Sequence, residues 1–256
     1  MPSPPPPFDR FDLTGRVALV TGGSRGLGRE MVLAFAQAGA DVVIASRSLE
    51  ACDAVAAEVT ETTGRRALPY ACHVGRWDEL PGLVDAAYDA FGKVDVLVNN
   101  AGMSPLYPNL LELSEKLFDT VLNLNLKGPF RLAALVASRM VEHGGGSIIN
   151  VSTTGSIRPD PMFVPYAAAK AGLNTLAESL GLGFGPTVRV NTLMAGPFLT
   201  DVSKAWDLDA VNAGAQRHML KRVGEPSEIV GAALFLASDA SSFTTGSTLR
   251  ADGGIP

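Results

Sequence analysis

A glycine-rich segment lies directly between a predicted buried strand and a predicted helix. The strand is the β-branched run 16–21, and the segment after it reads Thr21-Gly22-Gly23-Ser24-Arg25-Gly26-Leu27-Gly28. Glycines at such a place allow a sharp turn, let backbone N–H groups reach a phosphate, and let the helix pack closely on the strand. The segment predicts a pyrophosphate-binding loop formed by Gly22, Ser24, Arg25, Gly26, Leu27 and Gly28. A glycine-rich turn that holds no ligand is the alternative.

Short β-branched runs alternate with stretches of helical periodicity along the rest of the chain. Strands are predicted at 16–21, 41–45, 67–71, 94–98, 147–152, 188–193 and 248–251, and helices at 27–37, after Ser48, and at 77–91, 114–142, 166–182 and 227–237. Because the strands are almost continuously apolar, both faces of their sheet must be covered. The pattern predicts an α/β fold, namely a single-domain Rossmann-type doubly wound parallel sheet of about seven strands with helices on both faces.

Length and composition limit the organisation of the chain. A chain of 256 residues, 46% of them hydrophobic, suits one α/β domain. Five prolines within residues 2–7 cannot form a helix or a strand ladder. We therefore expect a proline-rich flexible N-terminal tail over 1–10 and a single domain over 11–256.

Charge and hydropathy exclude several classes of partner. The net charge is −5, and the chain has no basic stripe of the kind that nucleic-acid binding requires. No apolar run reaches the roughly 18 to 20 residues of a membrane span, and the prolines replace the apolar stretch of a signal peptide. The two cysteines have no metal-ligand spacing. We expect a cytoplasmic protein without a metal site, a nucleic-acid partner or a membrane partner.

Further motifs follow the glycine-rich segment in order along the chain. They are Asn99-Asn100-Ala101-Gly102, Asn125-Leu126-Lys127-Gly128, Tyr166-Ala167-Ala168-Ala169-Lys170, and Asn191 with Gly196 and Thr200. Together with the T-G-x-x-x-G-x-G spacing at 21–28, they make the chain resemble the short-chain dehydrogenase/reductase superfamily from roughly Leu13 to Gly254. The resemblance implies an oxidoreductase that interconverts a small-molecule ketone and a secondary alcohol, with a hydride from a nicotinamide cofactor and a proton from Tyr166. It also implies cofactor contacts by Asn100, Ala101, Gly102, Gly196 and Thr200.

Tyr166 and Lys170 are four residues apart at the start of a predicted helix, so their side chains share one face. No histidine lies within the motifs, which leaves the tyrosine as the proton donor. A nearby ammonium stabilises a phenolate and lowers a phenol pKa of about 10. The resemblance implies that Lys170 also binds the nicotinamide ribose and that Asn125 holds a water in a proton relay.

The third catalytic group of the family is a serine that polarises the substrate carbonyl. Thr153 occupies its position, counted back from Tyr166 or along Asn150-Val151-Ser152-Thr153. Threonine keeps the hydroxyl and adds a methyl that narrows the pocket, so we expect retained activity with altered substrate fit. Ser152 is the alternative, although the alternation of a strand should turn it to the other face.

The second predicted strand ends with Ser46-Arg47, where a fold of this kind places the adenosine ribose. No carboxylate is present to accept from a 2′-OH, whereas Arg47 and Arg25 can pair with a 2′-phosphate. We therefore expect NADP(H) rather than NAD(H), with solvated surface arginines as the alternative. His73 and Val74 follow the third strand, where the family often has an aspartate that hydrogen-bonds the adenine amine. A neutral imidazole can still offer one acceptor to adenine, and a polar residue at a strand end without a ligand is the alternative for His73.

The sequence leaves substrate and assembly open. A small ketone or sugar acid is preferred and a 3-oxoacyl thioester is the alternative, with the segment 198–222 expected to form a wall over the substrate. A catalytically silent NADP(H)-binding sensor or scaffold is the alternative function, and the intact Tyr166 and Lys170 pair argues against it. The resemblance implies a homotetramer or homodimer, with weak support from the small apolar residues Ala133, Ala134, Ala137, Ala171, Leu173 and Ala177.

Overall fold

The computed structural model describes residues 7–200 and 208–256. Most of the predicted proline-rich tail, residues 1–6, lies outside the described residues. The last residues of that predicted tail belong to a 3-10 turn, Pro7–Phe11. Lys204 and Trp206 of the expected substrate wall also lie outside the described residues.

Seven parallel strands form one sheet within the described residues, in the order β3-β2-β1-β4-β5-β6-β7. The strands are β1 (Val17–Thr21), β2 (Asp41–Ser46), β3 (Ala67–Ala71), β4 (Val96–Asn99), β5 (Gly146–Thr153), β6 (Val188–Ala195) and β7 (Thr248–Ala251). This confirms the predicted doubly wound Rossmann-type fold. The strand order reverses between β1 and β4, so the loops after these two strands leave in opposite directions and open a crevice.

Helices cover both faces of the sheet, as predicted. They are α1 (Gly26–Gln37), α2 (Leu49–Thr63), α3 (Leu80–Phe91), α4 (Glu115–Leu122), α5 (Gly128–Glu142), α6 (Val164–Phe184), α7 (Leu208–Ala215) and α8 (Val230–Ala237). Apolar residues of α1, α2 and α8 pack on one face, and those of α3, α5 and α6 on the other. In the described parts of the chain, none of the helices has the length and apolar character needed to cross a membrane.

The helix predicted over 114–142 is interrupted. One turn of π-helix, Asn123–Lys127, separates α4 from α5. Asn125 lies in this turn, and its Nδ2 donates to the carbonyl of Val121 at 2.9 Å. A side chain that bonds into the helix ladder in this way widens the turn, and such π-bulges are frequent at functional sites.

The small residues expected at a subunit interface are mostly core residues. Ala133 and Ala137 on α5 and Leu173 and Ala177 on α6 are at most 1% exposed. These four residues are covered by the chain's own packing and are not available to a partner, whereas Ala134 and Ala171 are half-buried. Helical periodicity alone does not separate a face turned to the sheet from a face turned to a partner.

Candidate active site

A cleft of about 570 Å³ opens beyond the carboxyl ends of the strands, at the reversal of strand order. Most of the residues predicted for the site line it. These are Gly22, Ser24, Arg25, Gly26, Leu27, Arg47, Val74, Asn100, Ala101, Gly102, Thr153, Tyr166, Lys170, Gly196 and Thr200. Gly28, His73 and Asn125 are not among the lining residues. The structure therefore gathers one group of predicted residues around a single cleft.

Two glycines of the first loop bring the backbone of α1 close to the loop after β4. Gly22 has φ +65°, and a Cβ there would lie 2.8 Å from Nδ2 of Asn100. A Cβ on Gly28 would lie only 2.2 Å from the carbonyl oxygen of Gly22. Any side chain would push the helix away from the loop, so Gly28 acts by packing rather than by lining the cleft. The N-terminus of α1 thus faces a concave backbone surface, which suits a pyrophosphate.

Thr21 connects the loops on the two sides of the crevice, a role that the sequence analysis missed. Its Oγ1 accepts from the backbone N–H groups of Asn100, at 3.0 Å, and Ala101, at 3.1 Å. It also donates to the carbonyl of Val98 at 3.1 Å. In return Nδ2 of Asn100 donates to the carbonyl of Thr21 at 2.9 Å. The sequence feature that could have predicted this role is a threonine at the carboxyl end of a buried strand.

One end of the cleft carries two unpaired positive charges. Arg25 and Arg47 are both exposed, and neither guanidinium forms a hydrogen bond or an ion pair with the described residues. Ser46 and Ser48 lie beside them, and no acidic residue occurs among the described residues that line the cleft. This end of the cleft is therefore suited to an anion.

The side chain of His73 forms a hydrogen bond within its own turn and does not line the cleft. Its Nδ1 accepts from the backbone N–H of Gly75 at 3.1 Å. The acceptor nitrogen that we expected to serve adenine is therefore occupied, and the adjoining wall consists of Cys72 and Val74. The expected adenine contact of His73 has no support from this geometry, because the turn after β3 uses the imidazole to satisfy its own backbone.

The opposite end of the cleft holds Tyr166 and Lys170, one turn apart on α6. Lys170 is only 3% exposed, and its Nζ donates to the carbonyl of Val151 at 2.7 Å. The same Nζ lies 5.9 Å from the centre of the Tyr166 ring. Burial lowers the pKa of Lys170 to about 8, so the ammonium form still predominates at pH 7.

Burial raises the pKa of Tyr166 to about 12, and a hydrogen bond with the Thr153 side chain opposes this rise. We expected Lys170 to lower the pKa of this phenol. In the structure desolvation is the largest influence on the pKa of Tyr166, and the lowering influence comes from Thr153 rather than from Lys170, whose Nζ donates to the carbonyl of Val151. Tyr166 is consequently a neutral phenol at neutral pH, the form that can donate a proton.

The structure separates the two hydroxyls at the end of β5. The side chain of Thr153 lowers the pKa of Tyr166, and its Oγ1 accepts from the N–H of Gly155 at 3.2 Å. The hydroxyl of Ser152 is buried and donates to the backbone carbonyl of Lys170 at 3.4 Å. The alternation of the strand therefore places Thr153, rather than Ser152, beside the phenol.

Asn125 lies behind the cleft wall. Its Nδ2 donates to the carbonyl of Met103 at 2.9 Å, and its Oδ1 accepts from the N–H of Met103 at 3.2 Å. A Cβ on Gly102 would lie 2.7 Å from the same Oδ1. The side chain thus fixes the loop after β4, and the water relay implied by the resemblance stays a prediction.

The fold and the cleft are those of a class of enzymes that bind a dinucleotide beyond the carboxyl ends of a parallel sheet. A family model described as enoyl-(acyl carrier protein) reductase matches residues 22–256. An uncharacterized oxidoreductase of Mycobacterium tuberculosis is 41% identical over 255 residues, which cover 97% of this chain and 95% of the relative. The chain belongs to the short-chain dehydrogenase/reductase family and is an oxidoreductase that acts on carbonyl or alcohol groups.

Two further relatives show how widely the substrates of such proteins differ. The 3-oxoacyl-[acyl-carrier-protein] reductase of Thermotoga maritima is 36% identical over 247 residues, with 95% of this chain and 98% of the relative covered. The crystal structure of NADPH-dependent 3-quinuclidinone reductase from Rhodotorula rubra superposes with a TM-score of 0.92 at 29% identity, covering 99% of this chain and 96% of that chain. The substrate and the choice between NADP(H) and NAD(H) therefore depend on the residues of the individual cleft.

Proposed function

We propose that the protein is an NADP(H)-dependent reductase that interconverts a small-molecule ketone and a secondary alcohol. The observation that carries the proposal is the grouping of Thr153, Tyr166 and Lys170 at one end of a cleft whose other end presents Arg25 and Arg47. A proton donor at one end and an anion site at the other are the two requirements for positioning a phosphorylated hydride carrier against a carbonyl.

The residues of the cleft fit NADP(H). The loop at Gly22 and Gly26 and the N-terminus of α1 would hold the pyrophosphate, because the first N–H groups of a helix have no partner within the helix and both glycines line the cleft. Arg25 and Arg47 would pair with a 2′-phosphate. The other predicted contacts divide by their place along the cofactor. Ser24 and Leu27 lie in the pyrophosphate loop, and Val74 lies where adenine is expected. The rest of the cofactor would be contacted by Asn100, Ala101, Gly102, Lys170, Gly196 and Thr200.

The chain's own groups supply the proton chemistry. When bound, the nicotinamide supplies the hydride. Thr153 would donate a hydrogen bond to the substrate carbonyl, and Tyr166 would transfer its phenolic proton to the developing alkoxide. The ammonium of Lys170 would stabilise the resulting phenolate from its buried position, and Asn125 would fix the loop that bounds the proton path.

The deciding experiment is NADPH consumption across a panel of substrates. Assays at pH 7, where Lys170 is charged, would compare small ketones, keto forms of sugar acids and a 3-oxoacyl thioester. We expect turnover with at least one of them, and the thioester enters because of the Thermotoga maritima relative. Tight NADPH binding without turnover of any substrate would instead support the catalytically silent sensor or scaffold.

A pair of alanine variants at the end of β5 tests the assignment of Thr153. Thr153→Ala removes the hydroxyl beside Tyr166, and we expect kcat to fall by about 100-fold, as for loss of one oxyanion donor. Ser152→Ala is the matched control, because its hydroxyl bonds only a backbone carbonyl, and we expect a much smaller loss. Thr153→Ser should retain activity. A loss that is larger for Ser152→Ala than for Thr153→Ala would contradict the assignment.

We further propose a homotetramer or homodimer in the cytoplasm, with a single domain over 11–256 behind the tail 1–10. The resemblance to the family supports the assembly, and light scattering would measure it. The core burial of Ala133 and Ala137 means that other residues of α5 would have to form the contact.

A further inference from the structure

Tyr107 has a buried hydroxyl that bridges two backbone groups distant from it in sequence. The Oη donates to the carbonyl of Pro161 at 2.6 Å and accepts from the N–H of Val164 at 2.8 Å. The residue is only 7% exposed, although the loop that carries it is mostly exposed. We propose that Tyr107 is a positioning residue that locks the loop after β4 onto the start of α6 and thereby fixes Tyr166. This inference rests on the proposed function.

The segment 103–107, here called the strap, is anchored at both ends. At one end Asn125 bonds both the N–H and the carbonyl of Met103. At the other end Tyr107 bonds the segment that leads into α6. The strap therefore joins the π-turn behind the cleft to the helix that carries Tyr166 and Lys170. A connection anchored by hydrogen bonds at both ends holds its attached elements at a fixed separation.

The hydroxyl of Tyr107 acts on the part of the chain that sets the orientation of α6. A 3-10 turn, Pro161–Phe163, precedes this helix and is capped by Asp160, which accepts from the N–H of Met162. Val164 is the first residue of α6, and its N–H has no partner within the helix. Tyr107 satisfies this N–H and the carbonyl of Pro161 together, so one side chain clamps both ends of the turn.

The clamped turn is in direct contact with the proton donor. The ring of Phe163, within the turn, meets the ring of Tyr166 edge to face at a centroid distance of 6.4 Å. A Cβ on Gly155 would lie 2.8 Å from the Phe163 ring, so the ring has little space to move. Gly155 in turn donates to Thr153. Any shift of the turn would therefore be transmitted to both Tyr166 and Thr153.

The test is the variant Tyr107→Phe, which removes both hydrogen bonds and keeps the ring. We expect kcat to fall by about 10- to 100-fold, because small displacements of a catalytic group cost rates of this order. The dissociation constant for NADPH should stay within about twofold, since a displaced proton donor affects the chemical step and not ground-state binding. Hydrogen exchange in the peptide 157–166 should become faster, because the N–H of Val164 loses its acceptor.

Tyr88→Phe is the matched control. Tyr88 lies on α3 and packs edge to face against His143, near the amino ends of the strands. The cleft lies at the opposite, carboxyl ends. The control removes a tyrosine hydroxyl too, and we expect neither kcat nor exchange in 157–166 to change. Faster exchange in Tyr107→Phe with an unchanged kcat would overturn the positioning role, and unchanged exchange would overturn the contact itself. Should the wild-type protein turn over no substrate, the proposed function would fail, and the exchange comparison would still decide whether the contact exists.

Discussion

Replacement of Tyr166 with phenylalanine should lower kcat by at least about 1000-fold, within the range that a positioned general acid contributes. The phenol is neutral at pH 7 because burial raises its pKa to about 12, so the wild-type protein holds the proton that carbonyl reduction needs. Phenylalanine lacks that proton but keeps the ring that packs against Phe163. The measurements are the steady-state rate of NADPH oxidation with one ketone substrate and a fluorescence titration of NADPH binding.

The binding titration separates loss of chemistry from loss of folding. NADPH affinity should change little in Tyr166→Phe, because the expected pyrophosphate and 2′-phosphate contacts lie at the other end of the cleft. Tyr88→Phe controls for removal of a tyrosine hydroxyl elsewhere. If Tyr166→Phe retained more than about a tenth of the wild-type kcat, the main proton donor would have to be another group.

The fold was predictable because each of its determinants is local in sequence. β-Branched runs ending at glycine or small polar residues located the strands to within one or two residues at most ends, as for β3 (Ala67–Ala71). The close approach at Gly28 was implied by the spacing of the first loop. The π-turn at Asn123–Lys127 was not predicted, since it depends on which backbone groups the side chain of Asn125 reaches.

Most of the residues predicted for the candidate site line one cleft, whereas their electrostatics could not be predicted from the sequence. Counting along β5 gave Thr153, and strand alternation separated it from Ser152. The directions of the pKa shifts could not be predicted, because desolvation by burial causes both of them. The sequence places an ammonium near a phenol but does not show how far either group is buried. Tyr107 was missed because its partner Pro161 lies 54 residues away.

The second large effect is expected on the KM for NADPH when the two arginines of the cleft are removed. Arg25 and Arg47 are exposed at the cleft and form no ion pair with the described residues, so both are available to a 2′-phosphate. Hydrogen bonds to charged groups contribute about 1.5 to 3 kcal/mol each, and 1.4 kcal/mol corresponds to a factor of ten. The double variant Arg25→Ala/Arg47→Ala should therefore raise KM for NADPH by at least about 100-fold. NADH lacks the 2′-phosphate, so its KM should change by less than about threefold, because distant charges are screened by salt.

The control for this prediction must remove positive charge without touching the cleft. Arg139→Ala does so, because Arg139 lies in the last turn of α5, pairs with Asp85 and is not among the residues that line the cleft. An increase in KM for NADPH with this variant would mean that net charge, rather than contact, sets the affinity. Each single variant, Arg25→Ala and Arg47→Ala, should show part of the loss, and the two losses need not add since both groups would bind one phosphate. A wild-type protein that uses NADH with the lower KM would contradict the preference, and the absence of a carboxylate at Ser46-Arg47 would then need another explanation.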